Sequence, residues 1–205
     1  MTTTVLLVRH GQTESNTNGF YMGQSDEDLT KVGYGQARHL SSRLAGLPIA
    51  SIYTSPLRRT YATAVILAEP HKLEPRVLDK LIEIDLGDWQ GLHMDEINRR
   101  WPEFWQQWRI DPSGVVIPNG ESLPEVSQRA IPAFHRIVET NQGKQVIIVT
   151  HEVIVKVIVA NVLSAPNSIY RRFEINNTSL TMIHYLDNKS CLIGLNDVSH
   201  LRSAL

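Results

Sequence analysis

Two apolar runs with polar endings dominate the pattern of hydrophobic and polar positions. The first, TVLLVRH, spans Thr4 to His10 and leads into the polar stretch GQTESNTNG. The second, QVIIVTH, ends at Thr150 and His151 and precedes an apolar helical pattern that reaches Leu163. Unbroken apolar runs of this length are typical of strands covered on both faces. The pattern therefore predicts two buried strands, each of which ends in polar side chains.

Helical and strand patterns alternate after the first run. Apolar residues at helical intervals predict an amphipathic helix from Thr30 to Leu44, which ends before Gly46. The short apolar stretch ASIYTS predicts a second strand. Ser55 and Pro56 supply an N-cap hydroxyl and a first-turn proline, so we expect the next helix to begin there and to run to about residue 68.

The second half of the chain continues this alternation. Ser122 and Glu125 have capping-box spacing and predict a helix that reaches about Thr140. The stretches SLTMIHYL and SCLIGLN predict two late strands joined at Asp187 and Asn188. Strands that alternate with helices indicate an α/β fold, a three-layer α/β/α sandwich with a mostly parallel central sheet.

Composition narrows the class of protein. The 205 residues with 42% hydrophobic content are enough for one domain with a substantial core. Twenty basic residues against 21 acidic ones give a formal net charge of −1, so no global positive field would hold a nucleic acid. We therefore expect a single domain over residues 1–205 and no nucleic-acid partner.

Cysteine usage and hydropathy indicate a cytoplasmic protein. Cys191 is the single cysteine, which rules out an internal disulfide and any CxxC-type zinc spacing. The start of the sequence lacks the basic segment and the long apolar segment of a signal peptide. The most apolar window carries His151, Glu152 and Lys156, which argues against a membrane span.

Polar residues that end different strands should meet. In open parallel sheets, ligands bind at the carboxyl ends of the strands, where Arg9, His10 and His151 are predicted to lie. The segment from Ser55 to Arg59 follows another strand end and adds an arginine. Two imidazoles and two guanidiniums suit a dianion, and arginine binds phosphoryl groups through two hydrogen bonds. The pattern indicates a phosphoryl-binding pocket.

Four motifs give this chain a family resemblance. LVRHGQTESN resembles the signature of the histidine phosphatase superfamily, in its phosphoglycerate mutase-like branch. TSPLRRTYATA matches the family turn that supplies the second arginine, which makes it Arg59 rather than Arg58. LIEIDLGDWQG matches the segment with the acidic proton donor, here Glu83, and VIIVTHEVIVKVI matches the second histidine, here His151. The order and spacing also match, so the resemblance implies the phosphoglycerate mutase-like fold.

The resemblance implies a role for each pocket residue. His10 would attack phosphorus and form a phosphohistidine. Arg9, Arg59 and His151, if charged, would surround the phosphoryl oxygens and disfavour protonation of His10. Glu83, with a raised pKa, would protonate the leaving alkoxide and then deprotonate the attacking water. This scheme needs no metal and no cofactor.

Other residues are candidates for binding the substrate. Asn16, Gly23 and Gln24 should donate amide hydrogen bonds to the phosphate or the substrate body, as in relatives. Glu152 places a carboxylate beside the dianion, and one hypothesis is that it recognises a substrate amine, as in phosphoserine. His200 lies in LNDVSHL, which recurs in the family, and either comes near the site or only pins the C-terminus.

An aromatic segment forms a predicted helical excursion at about 92–120. Trp101, Phe104, Trp105 and Trp108 recur at i, i+3, i+4 and i+7, which is one face of a helix. This face either packs on the domain or forms a wall over the active site, and both can hold together.

The residues after Glu83 bear on the reaction. The phosphoglycerate mutases have a Tyr-Gly pair there and extra loop arginines, whereas this chain has Ile84-Asp85 and is shorter. With fewer cations to bind a returning hydroxy acid, water is favoured as the acceptor of the phosphoryl group. We expect a metal-independent phosphatase that hydrolyses a small-molecule phosphate monoester, such as phosphoserine or another small metabolite phosphate. A phosphoglycerate mutase and a phosphometabolite-binding module are the alternatives, and the late strands could pair in a homodimer.

Overall fold

A six-stranded sheet in the order β4-β3-β6-β1-β7-β8 forms the centre of the computed structural model, which describes residues 1–186 and 189–204. The connection predicted at Asp187 and Asn188 lies outside the described residues. A separate two-stranded sheet pairs β2 with β5. The strands are β1 (Thr3–Arg9), β2 (Phe20–Tyr21), β3 (Ile49–Thr54), β4 (Arg76–Val77), β5 (Leu92–His93), β6 (Gln145–Thr150), β7 (Leu180–Leu186) and β8 (Lys189–Asp197).

Helices cover both faces of the central sheet. Helices α2 (Lys31–Leu44) and α3 (Arg58–Ala68) pack on one face, and α6 (Leu123–Thr140) and α7 (Glu152–Val162) on the other. The remaining helices are α1 (Glu14–Asn18), α4 (Met94–Arg100) and α5 (Pro102–Ile110). Strands β4, β3, β6 and β1 are parallel, β7 pairs antiparallel with β1, and β8 pairs antiparallel with β7. This architecture confirms the predicted α/β sandwich with a mostly parallel sheet.

Burial on both faces explains why β1 is apolar at four successive positions, Val5 to Val8. Val5 and Leu7 belong to the core under α6 and α7, whereas Leu6 and Val8 belong to the core under α2 and α3. Successive side chains of a strand point to opposite faces, and all four of these are fully buried. Burial of each such side chain contributes about 1.5–3 kcal/mol, so both faces hold the strand in place.

The strands that carry the polar endings stop at the same level. In the parallel pairing of β1 with β6, Arg9 lies opposite Thr150, and the His10 N–H donates to the Thr150 carbonyl over 3.0 Å. On the other side of β6, the Ser55 N–H donates to the Val149 carbonyl over 3.2 Å. Three strand ends therefore present their next residues at one edge of the sheet.

The predicted start of α3 is wrong by about two residues. The helix begins at Arg58, after Leu57, which makes no side-chain cap. The Ser55 hydroxyl makes a long contact of 3.4 Å with the Leu57 N–H and a shorter one of 2.8 Å with Nε2 of His151. The serine therefore serves a tertiary contact instead of the helix end. The capping box of Ser122 and Glu125 does form, and α6 begins at Leu123 as predicted.

The aromatic segment forms a packed element in which Phe104 takes little part. Trp105 and Trp108 of α5 meet Trp89 edge to face, with ring centroids 6.1 Å and 5.8 Å apart. Trp101 precedes α5 and is partly buried, whereas 46% of Phe104 is exposed. Phe104 is about 100° from Trp105 around the helix, so it lies at the margin of a buried face that is narrower than the sequence indicated.

Two further expectations concern the surface. Among residues 1–186 and 189–204, no helix is long and apolar enough to cross a membrane. Strand β8 lies at one edge of the sheet and is where a second copy could pair. The predicted homodimer stays a prediction.

We predict that Trp108→Ala lowers the free energy of unfolding by about 3–5 kcal/mol, because a large side chain that is 98% buried leaves a cavity. Phe104→Ala on the same helix should cost under about 1 kcal/mol, since half of that ring already faces solvent. Urea denaturation measures both values. Equal losses for the two variants would contradict this description of α5.

Candidate active site

A cavity of about 260 Å³ opens where the strand ends meet. His10 follows β1, and His151 follows β6 at the start of α7, with their ring centroids 5.3 Å apart. Arg9, Arg59 and Glu83 line the same cavity as His10. The structure thus brings together all five residues that the sequence suggested for the chemistry.

The His10 ring is held with one nitrogen free to act as a nucleophile. Its Nδ1 lies 2.7 Å from the Gly11 carbonyl oxygen, which can only accept a hydrogen bond, so Nδ1 carries the proton. The lone pair of neutral His10 is therefore on Nε2. Burial, and after it Arg59 and Arg9, hold the pKa of His10 well below its usual value. The cations were predicted to be the cause, but burial is the larger one.

Arg59 is buried and fixed by backbone carbonyls. Its Nη1 donates to the Ser25 carbonyl over 2.8 Å and its Nη2 to the Gly23 carbonyl over 2.6 Å. Arg58, one residue earlier, is more than half exposed and pairs with Asp26 over 3.2 Å. Of the two adjacent arginines, only Arg59 reaches the cavity.

Arg9 is also fixed by a backbone carbonyl, and its Nε–H makes no hydrogen bond among the described residues. Its Nη1 donates to the Ile175 carbonyl over 2.6 Å and lies 3.1 Å from a carboxylate oxygen of Glu152. Its Nε is buried with no hydrogen-bond partner in the part of the chain that the structure describes. Buried donors rarely stay unpaired, so this atom is suited to an anionic ligand.

His151 is a neutral donor rather than the cation that the sequence allowed. Burial, together with Arg59, His10 and Arg9, holds the pKa of His151 well below its usual value. Its Nε2 contacts the Ser55 hydroxyl at 2.8 Å, while its buried Nδ1 has no partner among the described residues. With the serine hydroxyl donating to Nε2, a proton on Nδ1 is available for a ligand oxygen.

Glu83 has the character of an acid that is protonated near neutral pH. Burial of its carboxyl raises its pKa to about 7, against the opposing effects of the Ile84 N–H and Arg59. The Ile84 N–H donates to its Oε1 over 2.8 Å. A carboxyl with this pKa can donate a proton and later accept one at the same pH.

The residues predicted to bind the substrate divide into two groups. Asn16, Gly23 and Glu152 line the cavity. The prediction for Gln24 is corrected, because its side-chain amide donates to the Glu83 carbonyl over 3.0 Å and its N–H donates to Gln90 over 2.9 Å. Gln24 therefore supports the Glu83 segment.

Glu152 is enclosed by two cations. Its two carboxylate oxygens lie 3.1 Å from Arg9 and 2.9 Å from the Lys156 ammonium. Burial alone would raise the pKa of Glu152, but Arg9 and Lys156 outweigh it and lower that pKa. Lys156 is itself buried, with its ammonium 4.2 Å from the ring centroid of Tyr170. The extra carboxylate is compensated within the protein and orients Arg9.

The outer wall of the cavity contains residues that the motifs did not indicate. Arg171 donates to the Trp108 carbonyl from Nε and Nη2, over 3.3 Å and 2.9 Å. Trp108 thus packs on the domain and also lines the cavity. Tertiary packing brings Tyr21, Tyr170 and Arg171 into this wall, where Leu86 of the Glu83 motif and Trp108 of the predicted aromatic segment also line the cavity.

His200 lies behind the site rather than in the cavity. Its Nε2 is 3.2 Å from the Thr178 hydroxyl, and the Thr178 N–H donates to the carbonyls of Arg9 and His10. The C-terminal segment therefore supports the end of β1, which answers the alternative that the sequence left open. Among the described residues, no group of three or more His, Cys, Asp or Glu side chains is arranged to hold a metal ion.

Known proteins share both the sequence and the fold of this chain. A family profile described as Histidine phosphatase superfamily (branch 1) matches residues 5–198. Phosphoserine phosphatase 1 of Hydrogenobacter thermophilus is 34% identical over 197 residues, which cover 96% of this chain and 93% of that protein. Probable phosphoglycerate mutase GpmB of Cronobacter sakazakii is 33% identical over 204 residues, covering 96% and 94%. The structure of Bacillus stearothermophilus YhfR superposes with a TM-score of 0.94 at 33% identity, covering 97% and 99%.

We predict that the Glu83 carboxyl titrates with a midpoint near pH 7, because burial disfavours its ionised form. It would therefore be largely protonated below that pH, where an unperturbed glutamate, with a pKa of about 4.3, is already ionised. Carboxyl-carbon NMR of glutamate-labelled protein measures the midpoint, and Glu83→Gln identifies the signal. A midpoint near that of a free glutamate would contradict this electrostatic description.

Proposed function

This chain belongs to the histidine phosphatase superfamily, and from that premise we propose that it is a metal-independent phosphatase of small phosphate monoesters. The observation that carries the proposal is the geometry around His10. A neutral imidazole with a free Nε2 shares one cavity with two arginines fixed by backbone carbonyls and with an acid whose pKa is about 7. This set fits phosphoryl transfer to the ring and onward to water.

The first half of the reaction transfers the phosphoryl group to His10. The Nε2 lone pair forms the N–P bond while the P–O bond of the ester breaks and its electron pair stays on the leaving oxygen. That oxygen takes the proton of Glu83 and departs as the alcohol. Arg9, Arg59 and the Nδ1–H of His151 balance the charge on the phosphoryl oxygens.

The second half returns the enzyme to its starting state. Glu83, now a carboxylate, takes a proton from water as the water oxygen attacks phosphorus. The N–P bond breaks, its electron pair returns to Nε2 of His10, and inorganic phosphate leaves. One residue acts first as acid and then as base, which a pKa of about 7 allows at neutral pH.

The phosphoglycerate mutase reaction is the second candidate, and the similarity to Probable phosphoglycerate mutase GpmB favours it. In that reaction a hydroxy acid, and not water, accepts the phosphoryl group. Incubation with 3-phosphoglycerate and a trace of 2,3-bisphosphoglycerate separates the two. Release of inorganic phosphate supports the phosphatase, and isomerisation without free phosphate supports the mutase.

Substrate choice rests on the outer wall, where we infer that Arg171 meets an anionic group of the substrate body. Its guanidinium donates to the Trp108 carbonyl, lies 5.3 Å from the Tyr170 ring centroid and lines the same cavity as His10. Phosphoserine, which carries a carboxylate, fits this arrangement. We expect the enzyme to act in the cytoplasm on a metabolite of this kind.

We predict that alkaline quenching during turnover of a radiolabelled phosphate ester traps an acid-labile phosphohistidine on the wild-type protein. His10→Ala should trap none and lose activity by about 10³-fold or more, because the nucleophile is gone. His39→Ala, which removes an exposed histidine, is the control and should behave as wild type. Trapped label in His10→Ala, or its absence from an active wild-type protein, would refute the mechanism.

We predict that Arg171→Gln raises KM for phosphoserine and phosphoglycolate about tenfold, the scale of one charge-assisted hydrogen bond. KM for glycerol phosphate, which has no carboxylate, should stay within about twofold, and kcat should change little, since the lost contact is equal in ground and transition states. Arg172→Gln at the neighbouring exposed residue is the matched control. Equal effects on all three esters would remove Arg171 from substrate selection.

The same panel tests Glu152. If its role is to hold Arg9, Glu152→Gln lowers kcat/KM for phosphoserine and phosphoglycolate by the same factor, and the two ion pairs favour this result. A loss confined to phosphoserine would establish instead the recognition of a substrate amine.

A further inference from the structure

Arg129 of α6 grips the main chain that carries Glu83. Its Nη1 donates to the carbonyls of Ile82, over 2.7 Å, and Lys80, over 3.1 Å. Its Nη2 donates to the carbonyl of Glu83 itself over 2.9 Å. One guanidinium therefore holds three carbonyls in a segment of four residues.

Glu121 binds both Arg129 and the main chain that follows Glu83. Its carboxylate accepts from Nε and Nη2 of Arg129, over 2.7 Å and 2.8 Å, and so fixes the plane of the guanidinium. The same carboxylate accepts from the Asp85 N–H over 2.9 Å, and the Glu121 N–H donates to the Asp85 carbonyl over 2.8 Å. The ion pair thus contacts the backbone both before and after Glu83.

The Glu83 side chain depends on this backbone for its position. Its one hydrogen bond within the described part of the protein comes from the next residue, the N–H of Ile84. Residues that contact the segment from elsewhere also bind main-chain atoms, as the Gln24 amide does at the Glu83 carbonyl and the Thr150 hydroxyl at the Leu81 carbonyl. The position of the Glu83 carboxyl is therefore determined by the conformation of the main chain at residues 83 and 84.

Neither member of the pair takes part in the cavity. Arg129 and Glu121 line a separate groove beside α6, whereas His10 lines the cavity at the strand ends. Both side chains are mostly buried, with 14% and 22% exposed, so the pair is shielded from water. The hydrogen bonds of Arg129 go to this segment and to Glu121, and beyond them Arg129 adds a minor electrostatic contribution to the lowered pKa of His151.

We propose that the Arg129–Glu121 ion pair is a positioning unit that aims the Glu83 carboxyl at the leaving oxygen of the substrate. The proposal rests on the proposed function, in which Glu83 is the proton donor. A displacement of about 1 Å at a reacting group can cost on the order of 10²-fold in rate. Loss of the pair should therefore impair proton donation while leaving His10 and the arginines in place.

Leaving groups of different basicity separate proton donation from the other steps. An alkyl ester such as phosphoserine releases a basic alkoxide that needs a proton, whereas p-nitrophenyl phosphate releases a weakly basic phenolate that does not. Because kcat/KM reports the steps up to formation of the phosphohistidine, a fault confined to Glu83 lowers kcat/KM far more for the first substrate than for the second, although hydrolysis of the phosphohistidine slows for both. A general loss of structure slows both alike.

The test compares Arg129→Lys and Glu121→Gln with wild type on these two esters. Lysine keeps the charge but cannot donate to several carbonyls in a fixed plane, and glutamine loses the ionised partner. We expect kcat/KM for phosphoserine to fall about 30- to 100-fold and that for p-nitrophenyl phosphate to stay within about threefold. Glu83→Gln should show the same selective loss and serves as the reference.

Arg136→Lys is the matched control, because this exposed arginine lies two turns later on α6 and lines the same groove. It should leave both activities unchanged. The pH profile adds a readout that a purely structural role would not move. The fall in kcat/KM for phosphoserine above pH 7, set by Glu83, should weaken in Arg129→Lys and Glu121→Gln as it does in Glu83→Gln.

The outcomes separate the two proposals. If wild type forms no phosphohistidine and cleaves neither ester, the proposed function fails and this inference with it. If wild type is active and both variants keep full activity, or lose both esters equally, the positioning role is overturned. Urea denaturation checks each variant, and Glu121→Gln decides the matter if Arg129→Lys does not fold.

Discussion

The in-register parallel pairing of β1 with β6 is the constraint on which the site depends. Because Arg9 lies opposite Thr150, the residues that follow, His10 and His151, leave the sheet at the same level and their rings come within 5.3 Å. The register itself is set by burial on both faces, since a slip of one residue would move every apolar side chain of β1 to the opposite core. Hydrophobic packing far from the cavity thus determines the distance between two imidazoles.

Main-chain carbonyls accept hydrogen bonds from the buried arginines at this edge of the sheet and so stabilise their charge. Arg9 and Arg59 each donate to carbonyl oxygens, which compensate their burial, and Arg9 also pairs with the Glu152 carboxylate. The same enclosure keeps His10 and His151 neutral and raises the pKa of Glu83. Burial therefore favours the neutral form of both imidazoles and of the Glu83 carboxyl, while Arg59 and Arg9 reinforce this effect at the histidines and oppose it at Glu83.

The architecture separates the chemistry from the choice of substrate. Arg9 ends β1 and His10 follows it, Arg59 lies in the first turn of α3, and Glu83 lies on a segment that Arg129 of α6 binds through its carbonyls. The outer wall comes from the excursion that contains Trp108 and from Arg171, which lie on connections outside the central sheet. Changes in that wall can alter the ligand without disturbing the phosphoryl site.

The sequence by itself determined the α/β sandwich and the strand-end chemistry, because apolar periodicity and local motifs report elements and their termini directly. It indicated Arg9, His10, Arg59 and Glu83, which line one cavity, and His151, whose ring lies 5.3 Å from that of His10, and it distinguished Arg59 from the exposed Arg58.

Tertiary structure alone decided what contacts those side chains make, because such contacts join residues far apart in the chain. The local sequence predicts Ser55 to be a helix cap, but its hydroxyl contacts His151. It predicts Gln24 to bind the substrate, but the Gln24 amide donates to the Glu83 carbonyl. The burial of each side chain also depends on the tertiary structure. It lowers the pKa of His151, whereas Phe104 remains partly exposed.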